Sequence, residues 1–385
     1  MDASLYLHVP FCAGACDYCD FYSVRSGPSD PRQDAYVDKV LADVAEGLHS
    51  EPVDTVPTVF IGGGTPTLLG PRRIEKLLNG VLKLLPAKPL EVTVEANPES
   101  LSADVLSALV AGGADRISLG IQSLNRKSRE AVCRIGRVDS SLRALDLVAS
   151  SFPGRFSVDL IAGLPFQDET SLLSDIARLV QAGVSHVSLY SLILEEGTPL
   201  EVRARRGNAE IPDDVRSDEL WLAGRDALDA AGLHQYEVSN FCTPGEECRH
   251  NQRYWRMDSW LGFGPAASGT LVDEERGTAR RSTVPDEIDA WLAGDSPAEW
   301  EKVDRKALME ETFMMGFRTL QGPDAALFAR RFGSPLESFI GDTLASWRER
   351  GLARADAAAL TAEGLLFLDP FVLDCATELE KTFSR

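Results

Sequence analysis

The chain has no uninterrupted apolar run of about 18 residues, the length that a bilayer-spanning helix needs, so no integral membrane segment is expected. Its start, MDASLYLHVPFC, has no basic stretch, apolar core or small-residue cleavage site of a secretory signal, and the expected location is cytoplasmic. Basic residues are in short supply: 39 Lys and Arg against 59 Asp and Glu leave a net charge of −20. That balance excludes general nucleic-acid binding, because phosphate recognition needs clustered cations. Cysteine is neither absent nor paired. Seven cysteines, an odd number in a chain without an export signal, speak against a disulfide framework and for metal or cluster ligation. Repeats of fixed period and low-complexity segments are also missing. What remains is an ordinary folded composition, 44% apolar and 25% charged, in 385 residues, enough for two or three domains.

The apolar residues alternate between short runs and amphipathic stretches. LYLHV (5–9), TVFIGG (58–63), EVTVEA (91–96), RISLGI (116–121), FSVDLIAG (156–163) and HVSLYSL (186–192) read as strands, and helical patterns separate them. Strands divided by helices predict a parallel sheet with right-handed crossovers. Six units are too few for a closed eight-stranded barrel and enough for an open, partial (β/α)6 barrel of TIM type over residues 1–200. Residues 201–300 read as an extension whose Gly- and aromatic-rich stretch closes over the barrel mouth. Residues 301–385 give helical patterns at 305–319, 323–332 and 336–349 and a short hairpin at ARADAAALTAEG, a small winged-helix-like, α-rich domain.

In such sheets ligands bind at the carboxyl ends of strands. There the chain places its unusual residues: Cys12, Cys16 and Cys19 after the first strand, GGGTPT after the second, EANPES, IQS and DLIAGLP after the next three. The cysteine spacing by itself admits three chemistries. A four-iron cluster on three thiolates would keep one iron open. Structural zinc would need a fourth ligand, for which His8 is the nearest candidate. A redox pair would use Cys16 and Cys19 and leave Cys12 unexplained. Cys133 and Cys375 read as core thiols, and Cys242, Cys248 and His250 as core residues or a second zinc set.

CxxxCxxC followed by an aromatic residue and then GGGTP resembles the radical S-adenosylmethionine (SAM) superfamily. More narrowly, LYLHVPFCAGACDYCDF, FIGGGTPTLL, VEANPE, RISLGIQS, DLIAGLP and HNQRYW resemble the branch that contains oxygen-independent coproporphyrinogen III oxidases and HemW-type haem chaperones. The resemblance implies a [4Fe-4S] cluster on Cys12, Cys16 and Cys19, with Tyr6 and Tyr18 beside it. It implies SAM contacts from Gly63, Gly64 and Thr65 at the methionine end, from Glu95 at the ribose or ammonium, and from Arg134 at the carboxylate, with Gln122 and Asp159 lining the mouth. In the oxidases the cysteine pattern is CxxxCxxCxC and an N-terminal extension precedes it; here Phe21 stands at the last cysteine and the loop begins at residue 12. Both departures turn the reading from decarboxylating enzyme to haem chaperone. On that reading His250 ligates haem, Tyr254 and Trp255 contact it with Trp260 nearby, and arginines at 249, 253 and 256 or at 203, 205 and 206 pair with propionates. The implied partners are haem-requiring apoproteins of the respiratory chain, met at a membrane surface, and a second copy in a cluster-dependent homodimer. The alternative is the oxidase itself.

Overall fold

The computed structural model describes residues 1–383. Six strands, β1 (Ser4–Val9), β2 (Thr58–Gly63), β3 (Glu91–Ala96), β4 (Arg116–Gln122), β5 (Arg155–Ala162) and β6 (His186–Ser191), pair in sequence order and all in parallel. The helices between them, α1 (Arg32–Ser50), α2 (Gly70–Leu84), α3 (Ala103–Ala111), α4 (Val138–Ser151) and α5 (Glu169–Gln181), supply the crossovers. Leu5, Leu7, Val9, Val59, Ile61, Val92 and Val94 are fully buried and share one core with Tyr36, Val37, Val40 and Val44 of α1. Residues of the opposite parity face the other side of the sheet and are mostly polar. Ser4, Thr58, Thr93, Ser118, Ser157 and Asp159 lie there, with Tyr6 and Phe60 in ring contact at 6.2 Å. Side-chain caps set the helix starts: Ser102 accepts from Val105 N–H, and Asp168 accepts from Ser171 N–H.

The sheet is open, as the six-unit reading predicts, but it is wider than predicted. β7 (Asn240–Cys242) adds antiparallel to β6, with a two-residue strand, His234–Gln235, outside it. At the opposite edge β8 (Trp260–Phe263) adds parallel to β1, followed by the antiparallel strands β9 (Ser268–Asp273), β10 (Thr278–Thr283) and β11 (Glu299–Val303). The helix α6 (Asp214–Ala230) precedes β7, and between the two additions runs α7 (Arg249–Trp255), which is RHNQRYW itself. The expectation that the aromatic-rich stretch closes over the mouth is corrected here: α7 lies at the amino ends of the strands. His250 Nδ1 is 2.8 Å from Thr58 Oγ1, and Glu91, the first residue of β3, accepts from the N–H groups of Arg249 and His250 at 3.1 and 3.0 Å. A carboxylate at the start of a buried strand caps the helix, so α7 plugs the bottom of the barrel.

The C-terminal region is helical: α8 (Arg305–Gly316), α9 (Ala325–Phe332), α10 (Glu337–Glu349) and α11 (Leu368–Phe383) enclose a second core of Phe313, Phe317, Phe328, Phe332, Trp347 and Phe371. The expected hairpin is reduced to one antiparallel bridge, Ala353 with Leu360.

Candidate functional site

Three segments grip the cysteine loop. Ser26 N–H donates to Cys12 C=O, Thr65 N–H to Phe11 C=O and Asp17 N–H to Val132 C=O, at 2.8, 2.7 and 3.0 Å, while Cys19 N–H closes a turn on Cys16 C=O at 3.1 Å. Glycine is required where the second strand end meets this loop. A Cβ on Gly64 would stand 2.7 Å from Phe11 C=O, and Gly63 has φ +101°. GGGTP is thus the seat of the cysteine loop, with backbone left open beside it.

The thiols are joined by a polar chain. Asn97 Nδ2 donates to Thr65 Oγ1 at 2.8 Å, and the Thr65 hydroxyl lies 3.4 Å from Cys12 Sγ. Arg134 donates through Nη2 to Asn97 Oδ1 at 2.8 Å and to Gly120 C=O, and through Nη1 to Cys16 Sγ at 3.5 Å. Cys16 thus lies against a guanidinium and Cys12 against the Thr65 hydroxyl. Burial pushes the third, Cys19, up to about 11, with Cys16 and Cys12 adding to the rise. Three thiols on one loop, with a guanidinium against one of them, are donor chemistry that fits an iron–sulfur cluster. Tyr18 is placed against Cys16 and Arg134, its hydroxyl held protonated by burial.

Single-ion zinc loses its fourth ligand. His8 Nε2 is 2.9 Å from Tyr22 C=O and must donate to it, so Nδ1 accepts from Tyr6 OH at 3.1 Å and neither nitrogen is open. In the proposed Cys242, Cys248 and His250 set, Cys248 Sγ donates to Glu91 Oε1 at 3.5 Å and His250 Nδ1 is paired with Thr58 Oγ1 at 2.8 Å.

The remaining strand-end residues line the mouth beside the cysteines. Glu95 accepts from Gly63 N–H at 3.1 Å, and burial, then the nearby Asp159, raise its pKa to about 8. Asp159 accepts from Ser118 Oγ at 3.1 Å and is raised by burial. Gln122 sits at φ +68°, its amide near Gly120 together with Asn97 and Arg134. Tyr6, Tyr18, Gly63, Gly64, Thr65, Glu95, Gln122, Arg134 and Asp159 are thereby brought to one mouth, and Asn97 joins them. Sequence reasoning missed Asn97, although EANPES placed it two residues beyond Glu95.

The haem residues are not brought there. His250 is 1% exposed, its ring between Phe60 and Tyr254 at 5.0 and 4.8 Å, and burial lowers its pKa to about 3. Thr58 donates onward to Ser4 Oγ, so His250 Nδ1–H donates to Thr58 and Nε2 keeps an unengaged lone pair inside the core. Tyr254 packs edge-on to Trp260, and Arg318 lies 5.0 Å over the Trp255 ring. The expected accessible haem ligand is thus corrected to a core histidine at the opposite end of the barrel from the cysteines. Four of the six propionate arginines are engaged in ion pairs: Arg203 with Asp17 at 2.7 Å, Arg205 with Glu201 at 3.5 Å, Arg253 with Asp258 at 3.3 Å and Arg256 with Asp258 at 3.8 Å. Cys375 is buried as expected, but Cys133, read as a core thiol, is exposed at the rim with φ +50°.

A family model for the radical SAM superfamily matches residues 6–199, and one for the HemN C-terminal domain matches residues 303–367. The chain belongs to the radical SAM superfamily. Within it, the haem chaperone HemW of Mycobacterium tuberculosis is 35% identical, covering 96% of this chain and 93% of the relative. HemW of Escherichia coli is 33% identical over 95% of this chain and 96% of the relative. A mitochondrial radical SAM domain-containing protein of Mus musculus is 34% identical over 98% and 84%. This radical SAM chain therefore falls in the family of HemW-type haem chaperones. Its fold matches that of coproporphyrinogen III oxidase HemN from E. coli with a TM-score of 0.79 at 19% identity, over 98% of this chain and 90% of that one.

Proposed function

We propose that the chain is a haem chaperone that carries a [4Fe-4S] cluster on Cys12, Cys16 and Cys19, binds SAM at the adjoining mouth, and delivers haem to apoproteins of the respiratory chain. The observation that carries the reading is the continuous chain from Cys12 through Thr65, Asn97 and Arg134 to Cys16, in a loop where an exposed Phe21 stands in place of a fourth cysteine. When bound, such a cluster offers an iron with no protein ligand to the methionine end of SAM.

The chain's own residues would do the rest. Arg134 pairs with the SAM carboxylate, Gly63 and Gly64 leave backbone open to the ammonium, and Glu95 accepts from ammonium or ribose. Gln122 and Asp159 complete the wall, and Tyr6 and Tyr18 keep water from the sulfurs. The cation of SAM explains why two carboxyls, Glu95 and Asp159, are held buried and close. The names of the bacterial relatives support haem handling. Among the described residues no helix is long and apolar enough to cross a membrane, and we place the work in the cytoplasm, with the exposed cysteine loop available for a cluster-dependent homodimer or an encounter at a membrane surface.

The test uses anaerobically reconstituted protein with dithionite and SAM, incubated in parallel with haem and with coproporphyrinogen III. A stable Soret band with haem and no protoporphyrinogen is the expected result. Repeated decarboxylation would establish the oxidase instead.

A further inference from the structure

Resting on the SAM reading above, we propose that Arg129 is the positioning residue of the SAM carboxylate seat. One buried guanidinium fixes both the turn that carries Gln122 and the segment that carries Arg134, so that the two side chains converge on one point of the mouth.

The chain turns sharply at the end of β4. Ser123 N–H donates to Ile121 C=O at 2.9 Å, two residues back, and Gln122 between them has φ +68°. A γ-turn with positive φ at its centre is rare and strained, and it persists only where the surroundings hold it. Arg129 supplies that hold: its Nη1 donates to the carbonyls on both sides of the turn, Ile121 at 2.8 Å and Ser123 at 3.0 Å. Asp175 of α5 adds a second grip, accepting from Ser123 Oγ and Leu124 N–H, each at 2.9 Å.

The other end of the same guanidinium holds the Arg134 segment. Nη2 donates to Ile135 C=O at 3.0 Å and Gly136 C=O at 3.4 Å, the two residues that follow Arg134, and pairs with Glu99 at 3.3 Å. The two clamped segments meet over Gly120, where a Cβ would stand 3.0 Å from Gln122 Nε2 and 3.5 Å from Arg134 Nη2. Arg134 is 9% exposed and its Nε–H has no partner among the described residues, which leaves a buried cationic donor for a carboxylate. Folding stability does not account for Arg129. It is 3% exposed, burial and the nearby Arg134 cation both lower its pKa, and its own Nε–H lacks a partner. Replacing buried charges by apolar side chains of like volume is often neutral or stabilising, so the worth of this guanidinium lies in the geometry it imposes.

The experiment measures binding of SAM and of decarboxylated SAM, which lacks the carboxylate, to the anaerobically reconstituted full chain, with iron content and thermal midpoint in parallel. Wild type should prefer SAM. Arg129→Lys keeps the charge, but one ammonium cannot reach both pairs of carbonyls; it should weaken SAM about tenfold while decarboxylated SAM and iron content stay at wild-type values. In an Arg134→Met background, where the positioned group is gone, the same substitution should cost no more than about twofold. If Arg129→Lys loses its cluster, Glu99→Gln, which loosens only the Nη2 end, supplies the same comparison and should lower the preference for SAM. Equal weakening of both ligands, or of neither, overturns the positioning role alone. A wild-type chain that binds both ligands equally overturns the assignment of Arg134 to the carboxylate, and one that binds neither overturns the SAM reading.

Discussion

Asn97 holds the two halves of the cysteine site together, because its amide is a donor to Thr65 and an acceptor from Arg134 at the same time. Asn97→Leu should leave buried partners unsatisfied, at a cost of about 1–3 kcal/mol. Iron and sulfide retained after reconstitution should fall well below wild type while the far-ultraviolet spectrum is unchanged; full retention would show that the chain of bonds is not needed by the cluster. Its role was illegible in the sequence because it depends on a meeting with Arg134, 37 residues away. The cysteines, by contrast, carry their spacing within one loop. Glu95 permits a prediction whose sign is fixed by burial. Its pKa rises from 4.5 to about 8 in the folded chain, so its contribution to stability is complete below about pH 4.5 and is lost as pH climbs through 8. Without SAM, the wild-type urea midpoint should fall over that window, and Glu95→Gln should remove its share of the fall. Parallel curves for the two proteins would contradict the assignment.

The helix α7 shows where reading at the level of elements succeeds and where it stops. RHNQRYW is conspicuous for its composition, and its aromatic residues do pack together, but composition cannot say which end of the sheet receives it. That is decided by Glu91, a carboxylate at the start of an apolar strand, which caps the helix and also pairs with Arg155 at 3.3 Å. Glu91 is itself fully buried. Glu91→Ala should therefore destabilise the chain by about 3–5 kcal/mol, the range for removing one partner of a buried charged set. Urea unfolding measures it, and a loss below about 1 kcal/mol would mean that α7 is held by packing alone. The six parallel strands were legible because six short apolar runs recur, divided by helical stretches. β8 was not, since four residues, WLGF, carry no period and its parallel pairing with β1 spans the whole barrel. α11 was missed because Pro370 interrupts its pattern; the proline lies in the first helical turn, where its missing N–H costs nothing.

At the scale of the whole molecule, two apolar cores meet along β9 and β10, and buried charge ties them. Arg331 of α9 is 1% exposed and donates to both carboxylate oxygens of Glu274, at 3.1 and 2.7 Å, and to Met257 C=O at 3.1 Å. Met257 directly follows the plug helix region, so one guanidinium connects the C-terminal helices to the segment that closes the barrel floor. Arg281 of β10 makes a second tie to Glu311 of α8 at 2.6 Å. Because the aromatic core of the C-terminal helices is nearly self-contained, these links set whether the two parts unfold as one. Glu274 is 42% exposed and can turn to water once its partner is gone, which limits the cost of Arg331→Ala to about 1–3 kcal/mol, mostly the orphaned carbonyl and lost packing. That is enough to separate two cooperative units whose coupling is of the same order. Calorimetry of the variant should show two thermal transitions where the wild type shows one, with the lower assigned to the C-terminal helices by loss of the Trp347 signal. A single transition at a lowered temperature would mean instead that the shared apolar contacts of β9 and β10, rather than the charged ties, make the molecule one cooperative body.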